Sequence, residues 1–477
     1  MLRKIKLNLE KLALPELVHA AFLFFIISIL CAVYLLPGYW YSPDSFSYYE
    51  LSKTFFGESK FYEPNTIRSY FDLNHSAAFP LLYPSLLATL NLFFGDNYLN
   101  ATYYNIVLMI SSYFLLLNIA KNYTRNIFLS AAFSLSILLF PGYIGEVLSG
   151  RSIPLSLFIF LLSFTFYQKE KINLMTLLLG FCCLVRFDFL ATAIFISLCL
   201  SFKEKKITPV LFLILGLSPW IVYSLFYFNT IWVSDNSWVA TSSVRSYVTD
   251  FPANSSHTIF NDTFAWIQRI FKNYIYGNYY FARALFTNLL IICITLLFFK
   301  QKKYLTITFK KYLLIFLLIN SSLAPFFLSG YFDSRYFYLP ILMVGLFLLS
   351  EKCPRIKNLH IIFIIVIISI LPARTIYGGL YKLEINKARI TQRNLDIESI
   401  KAIHASEKHV TYFIGTRNGG LNLTPMYGAI TGNKVAFTPR NIADVNPAEF
   451  NKYIGENKNV TFKNGKPIVD SLGNSFN

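Results

Sequence analysis

ITPVLFLILGLSPWIVYSLFYF, residues 207–228, runs for 22 residues without a charge. As a helix rising about 1.5 Å per residue it reaches about 33 Å, enough to cross the ~30 Å hydrocarbon layer of a bilayer. It shows no strand-like alternation. Similar runs lie on both sides of it, among them LVHAAFLFFIISILCAVYLLP (17–37) and HIIFIIVIISILPARTI (360–376). The chain therefore reads as an all-α polytopic membrane bundle. Eleven spans are expected, at about 17–37, 102–120, 127–145, 153–167, 174–186, 189–202, 207–228, 282–299, 312–330, 338–350 and 359–377. Composition agrees: 477 residues, 55% hydrophobic, 18% aromatic and a mean hydropathy of +0.48 exclude an ordinary soluble enzyme and a disordered chain.

A net charge of +18 would suggest nucleic acid in a soluble protein. Here much of the positive charge stands in short segments beside spans, where it sets orientation, and no nucleic-acid partner is expected. Counted alternately, the N-terminus and the segments holding Lys121 and Arg125, Lys169 and Lys171, Lys203 to Lys206, Lys300 to Lys311 and Lys352 to Lys357 share one side, with 19 basic residues. The short loops opposite hold only Arg151, Arg186 and Arg335. The N-terminus is thus expected in the cytoplasm and the C-terminus outside, in a bacterial cytoplasmic (inner) membrane; the Lys-, Ile-, Asn- and Phe-rich composition suits an A/T-rich bacterial gene. The first run lacks a small-residue cleavage site and reads as an anchor. The six cysteines show no metal spacing and no external pairing, so no structural disulfide is expected.

Residues 77–95 are apolar enough to span, but a crossing there would reverse every later basic loop. The segment is instead laid along the outer face, with Pro80 and Pro84 expected to break a regular helix. The expected division is a transmembrane region, 1–377, with external loops 38–101 and 229–281, followed by a small external α/β domain at 378–477. In that domain 383–405 and 446–454 read as helices, 409–415 and 434–437 as strands, and VTFKNGKPIVD (460–470) as a hairpin around Asn-Gly.

The first external loop opens YSPDSFSYY (41–49). A helix there puts Asp44, Tyr48, Leu51 and Phe55 on one face, so that Asp44 rides an amphipathic helix pressed to the membrane surface. On local sequence the simpler reading is that Ser42 or Asp44 caps this helix, with Pro43 in its first turn. Arg335, in YFDSRYFYLP (331–340), stands at an outer span end beside Tyr336; the alternative is a local pair with Asp333 and an interfacial tyrosine belt. Arg186, with Asp188, either holds phosphate or forms an interhelical pair. Arg151 and Glu146 offer the same choice, and Glu146 is also a candidate metal ligand or acceptor contact. His75 is a packed or capping histidine or a donor contact. The aromatic residues of 229–281 stack on sugar rings or form an interfacial belt.

Taken together, Asp44 after the first span, the interfacial FPLLYPSLLATLNLFFG (79–95), LVRFDF (184–189), Pro219-Trp220 and the terminal outer segment resemble the GT-C superfamily of polytopic glycosyltransferases. The resemblance covers about the first 380 residues and is architectural. Asp44 matches the catalytic first-loop aspartate, although Ser45 follows where protein mannosyltransferases and aminoarabinose transferases carry a second acidic residue. The family implies transfer of a sugar from a polyprenyl phosphate, here undecaprenyl phosphate, to a cell-surface glycan or glycolipid such as O-antigen in lipopolysaccharide, with inversion. It implies Asp44 as base and Arg335, Arg186 or Arg151 as phosphate ligands, with Tyr336, Glu146 and His75 as substrate contacts. No cofactor is implied, and a divalent metal remains an option. An O-antigen polymerase or ligase would place its key arginines in one long late loop. A non-enzymatic lipid-linked glycan flippase or transporter would show broken helices or charges in mid-span.

Overall fold

The computed structural model describes residues 43–53, 79–95, 97, 99–124, 127–138, 141–228, 231–232, 268, 271–276, 279, 309–329 and 337–350, with strand residues 412–414, 435–437, 458–463 and 466–471. Every element it describes from Pro43 to Ser350 is helical: α1 Pro43–Lys53, α2 Leu82–Phe94, α3 Leu99–Thr124, α4 Ile127–Leu138, α5 Pro141–Leu148, α6 Ile153–Gln168, α7 Ile172–Val185, a 3-10 turn at Phe187–Phe189, α8 Leu190–Glu204, α9 Thr208–Phe228, α10 Phe309–Ser329 and α11 Tyr338–Ser350. The expected spans 17–37, 282–299 and 359–377 lie outside the described residues.

Among the described residues two helices, α3 and α9, are long and apolar enough to cross a membrane, and a third crossing is gained if the bent pair α5 and α6 counts as one span. Helices of 12 to 16 residues occupy several of the other expected positions. Sixteen residues make only about 24 Å of helix, short of the hydrocarbon thickness.

Two sequence expectations change here. The span expected at 127–145 is two helices, α4 and α5, and α5 meets α6 at 113° across residues 149–152. In 77–95 the prolines do not break the helix: α2 begins after Pro80 and takes Pro84 into its first turn, where a backbone N–H has no intrahelical acceptor to lose.

The helices pack around α3, α6 and α7. Helix α7 lies between α6 and α9, α3 packs on α4 and α6, α8 joins α7, α9 and α10, and α11 covers α3 and α4. The α7 to α9 crossing depends on glycine. A Cβ on Gly180 would stand 2.7 Å from the Cα of Gly216, and one on Gly216 would stand 2.9 Å from the Cα of Gly180. Close backbone approach of this kind is how helices gain van der Waals contact where lipid removes the hydrophobic drive for pairing.

Near the C-terminus four strands, β1 Tyr412–Ile414, β2 Val435–Phe437, β3 Lys458–Lys463 and β4 Lys466–Ser471, form one sheet in the order β2-β1-β3-β4. β1 is parallel to β2 and β3, while β3 and β4 are antiparallel with Lys463 opposite Lys466. The helices expected at 383–405 and 446–454 lie outside the described residues.

Candidate functional site

Helix α5 ends at Leu148 and the chain turns back within four residues to start α6. A helix C-terminus leaves its last carbonyls without intrahelical donors. Backbone N–H groups of residues 149–151 return to Gly145, Glu146 and Val147, and side chains from three other helices supply donors to Leu148 and to the turn beyond it. Thr102 donates to the Leu148 carbonyl at 3.1 Å, Ser45 donates to the Ser149 carbonyl, and Tyr83 donates to the Gly150 carbonyl at 2.9 Å. Asn105 donates to the Arg151 carbonyl at 2.7 Å and accepts from the Tyr83 hydroxyl at 3.2 Å. Gly150 has φ +70, and a Cβ there would lie 2.9 Å from the Cβ of Ala101, so conformation and space both call for glycine.

Helix α1 docks on this turn. Its buried side carries Ser45, Tyr48, Tyr49 and Ser52, and Tyr48 shares a 2.8 Å hydrogen bond with Ser152. The expected membrane-facing amphipathic helix is therefore corrected: the inward face is hydroxylic and meets protein, because Ser45 and Tyr48 bond Ser149 and Ser152 of the turn after α5. Phe55 lies outside the described residues. Burial pushes the Tyr48 phenol well above its ordinary range, with Arg186 pulling it back. Tyr48 thus acts as a neutral hydroxyl.

The docked helix brings Asp44 to Arg151. The Arg151 Nε lies 3.8 Å from Asp44 Oδ2, and the same guanidinium donates through Nη1 to Glu146 Oε1. The three groups differ in exposure: Glu146 is 2% exposed, whereas the Asp44 side chain is 43% exposed and accessible to a ligand. Arg186 stands within electrostatic reach of Tyr48 and of Tyr338 at the start of α11, and Tyr338 bonds Ser156 at 3.0 Å.

Arg186 leaves α7 in extended conformation, φ −151 and ψ 121, and the 3-10 turn folds Asp188 back onto it. Nε and Nη2 both bond the Asp188 carboxylate at 3.0 Å. The pair is thus local to one turn, not interhelical. Beyond it Phe187 meets Trp220 and Trp232, with ring centroids 4.8 and 5.2 Å apart.

Of the residues singled out from sequence, Asp44, Glu146, Arg151 and Arg186 come together at one end of the bundle, and His75, Arg335 and Tyr336 lie outside the described residues. Among the described residues three carboxylates, Asp44, Glu146 and Asp188, meet two guanidiniums. Arg151 and Arg186 each already hold a carboxylate, so a phosphate there would share the guanidinium with it or displace it. Among the described residues no three of His, Cys, Asp and Glu gather closely enough to hold a metal ion.

Sequence reading missed the clamp made by Ser45, Tyr83, Thr102, Asn105 and Ser152. Its legible signals were Thr102 and Asn105, polar side chains in a long and mostly apolar helix. No protein-family description, curated protein or solved structure matches the chain.

Proposed function

We propose that the chain is an integral membrane glycosyltransferase of the GT-C type, moving a sugar from undecaprenyl phosphate to a glycan or glycolipid outside the bacterial cytoplasmic membrane. The observation that carries this reading is the position of Asp44: partly exposed, on a helix anchored to the α5–α6 turn and beside a fixed guanidinium. A sugar on a polyprenol cannot leave the bilayer, so its C1 must react where the phosphate emerges. Asp44 takes the proton of the acceptor hydroxyl, whose oxygen attacks C1 opposite the phosphate. The C1 to phosphate-oxygen bond breaks, its electron pair leaves with polyprenyl phosphate, and the configuration at C1 inverts. Arg335, five residues before the end of YFDSRYFYLP, is the proposed phosphate ligand, since Arg151 and Arg186 are already paired. In this reading the chain crosses the membrane eleven times, with its N-terminus in the cytoplasm and residues 378–477 as an α/β domain outside.

A second reading has an observation of its own. A 113° break between two apolar helices, with the chain between them held by polar side chains, is also a way for a transporter to line a substrate path. Asp44→Asn separates the two. Asn caps a helix about as well as Asp but cannot take a proton, so transfer from undecaprenyl phosphate sugar to acceptor should fall by about 10² to 10⁴ while the protein stays folded. Near-normal transfer by the variant would remove Asp44 as base. Movement of the lipid-linked sugar across vesicles without any transfer would favour the transporter.

A further inference from the structure

The end of the bundle away from Asp44 gathers lysine. Asn122, at the end of α3, donates to Gln168, at the end of α6, at 3.1 Å. Lys121 and Lys169 are the immediate neighbours of that bond in sequence. Next to it, Lys203 of α8 places its Nζ 5.8 Å over the ring of Tyr167. The two turns that follow, at Lys169 to Lys171 and at Lys203 to Lys206, hold left-handed residues, Glu170 at φ 59 and Lys205 at φ 53. The five lysines of the two turns, Lys169, Lys171, Lys203, Lys205 and Lys206, are thus brought together where Lys203 meets Tyr167, and all five are exposed.

Lysines at helix C-termini offset the backbone dipole, and that role must be weighed first. The C-termini of α6 and α8 at about half a negative charge each, with Glu170 and Glu204, balance about three of the five positive charges. About two positive charges remain to face an outside anion. Apolar side chains border them: Phe202 is 82% exposed and Ile207 67%, one on each side of the Lys203 to Lys206 turn. From Thr102, at the Asp44 end, to Asn122 is about 30 Å along α3, the thickness of a hydrocarbon layer. The lysines therefore stand at headgroup depth, with apolar side chains placed for acyl chains.

We propose that this cluster is a binding site for the headgroup phosphate of an anionic phospholipid. The lysines of the two turns hold the phosphate as point charges, while Phe202 and Ile207 lie against the acyl chains. The site is independent of the transferase reading.

The test uses the full chain in nanodiscs of phosphatidylcholine, with phosphatidylglycerol titrated in and bound lipid counted by native mass spectrometry. At about fivefold per lysine, the triple variant Lys203→Gln, Lys205→Gln, Lys206→Gln should lose about a hundredfold in phosphatidylglycerol affinity, and the Arg counterparts should retain it. Lys169→Gln with Lys171→Gln, a separate fold-safe variant, should lose about twentyfold. Unchanged affinity in both Gln variants would overturn the site. So would an equal loss on neutralising Lys300, Lys302 and Lys303, which would indicate a diffuse surface charge. Displacement of the lipid by inorganic phosphate at comparable concentration would assign the lysines to free phosphate and overturn the lipid.

Discussion

The two ends of the bundle treat charge in opposite ways. At the α5–α6 end, Glu146 and Arg151 are drawn into the protein and fixed on each other, and the turn that carries Arg151 is clamped by hydroxyls and an amide from α1, α2 and α3. At the other end the lysines are exposed, and the side-chain hydrogen bond between Asn122 and Gln168 joins two neutral amides. Fixing a buried charge costs desolvation that only good partners offset, whereas an exposed lysine costs little and specifies little. Precise placement is thus concentrated where Asp44 stands, and the opposite end carries charge as an amount.

That contrast can be broken most directly at Arg151. Removing one partner of a buried pair leaves the other uncompensated, so Arg151→Ala should destabilise the purified protein by about 3 to 5 kcal/mol. The double variant Glu146→Leu, Arg151→Met should cost much less than the single, because no buried charge is left behind. Thermal unfolding in one detergent would show both. Equal losses in the single and double variants would mean that the pair is solvated and the contrast between the ends is false.

Gly216→Leu should come next, at about 1 to 3 kcal/mol, since a side chain there forces α7 and α9 apart. It acts between the two ends, so it should leave Asp44 chemistry and phosphatidylglycerol binding in place in whatever fraction stays folded. Loss of both in the folded fraction would show that the ends are coupled through this crossing.

Tyr83→Phe should cost about 1 kcal/mol, one hydrogen bond to the Gly150 carbonyl, with Asn105 left to hold the turn. Because the same turn positions Arg151 beside Asp44, transfer should fall more than stability does. A loss of stability with full transfer would show that the turn can relax without moving Arg151.

Much of the helical frame was legible because it rests on the length and apolarity of single segments. α3, α6, α7, α8 and α9 lie within a few residues of where hydropathy puts them. The α5 break was not legible. FPGYIGEVLSG is largely apolar apart from Glu146 and Ser149, so local sequence reads it as the end of a span; the bend is held by residues 45, 83, 102 and 105, distant in sequence, which donate to carbonyls of residues 148–151. The hydroxylic face of α1 was missed for the same reason: Ser45 and Ser52 look like solvent-facing residues until their acceptors are known. Arg186 and Asp188, two residues apart, did signal a pair, but whether it was local or interhelical depended on the 3-10 turn between them.

The smallest effect should come from the lysine end. In phosphatidylcholine alone, the triple variant Lys203→Gln, Lys205→Gln, Lys206→Gln should change stability by no more than about 0.5 kcal/mol per site, the usual range for exposed substitutions. Lys203 loses its position over Tyr167, an exposed cation–π contact of about 0.5 to 1 kcal/mol, while neutralising Lys205 and Lys206 relieves repulsion between neighbours. The two contributions oppose each other. Unfolding of the variant in neutral lipid is the measurement. A loss of several kcal/mol, on the scale of Arg151→Ala, would mean that these lysines too are built into the protein, and the distinction between an end that fixes charge and an end that offers it would fail.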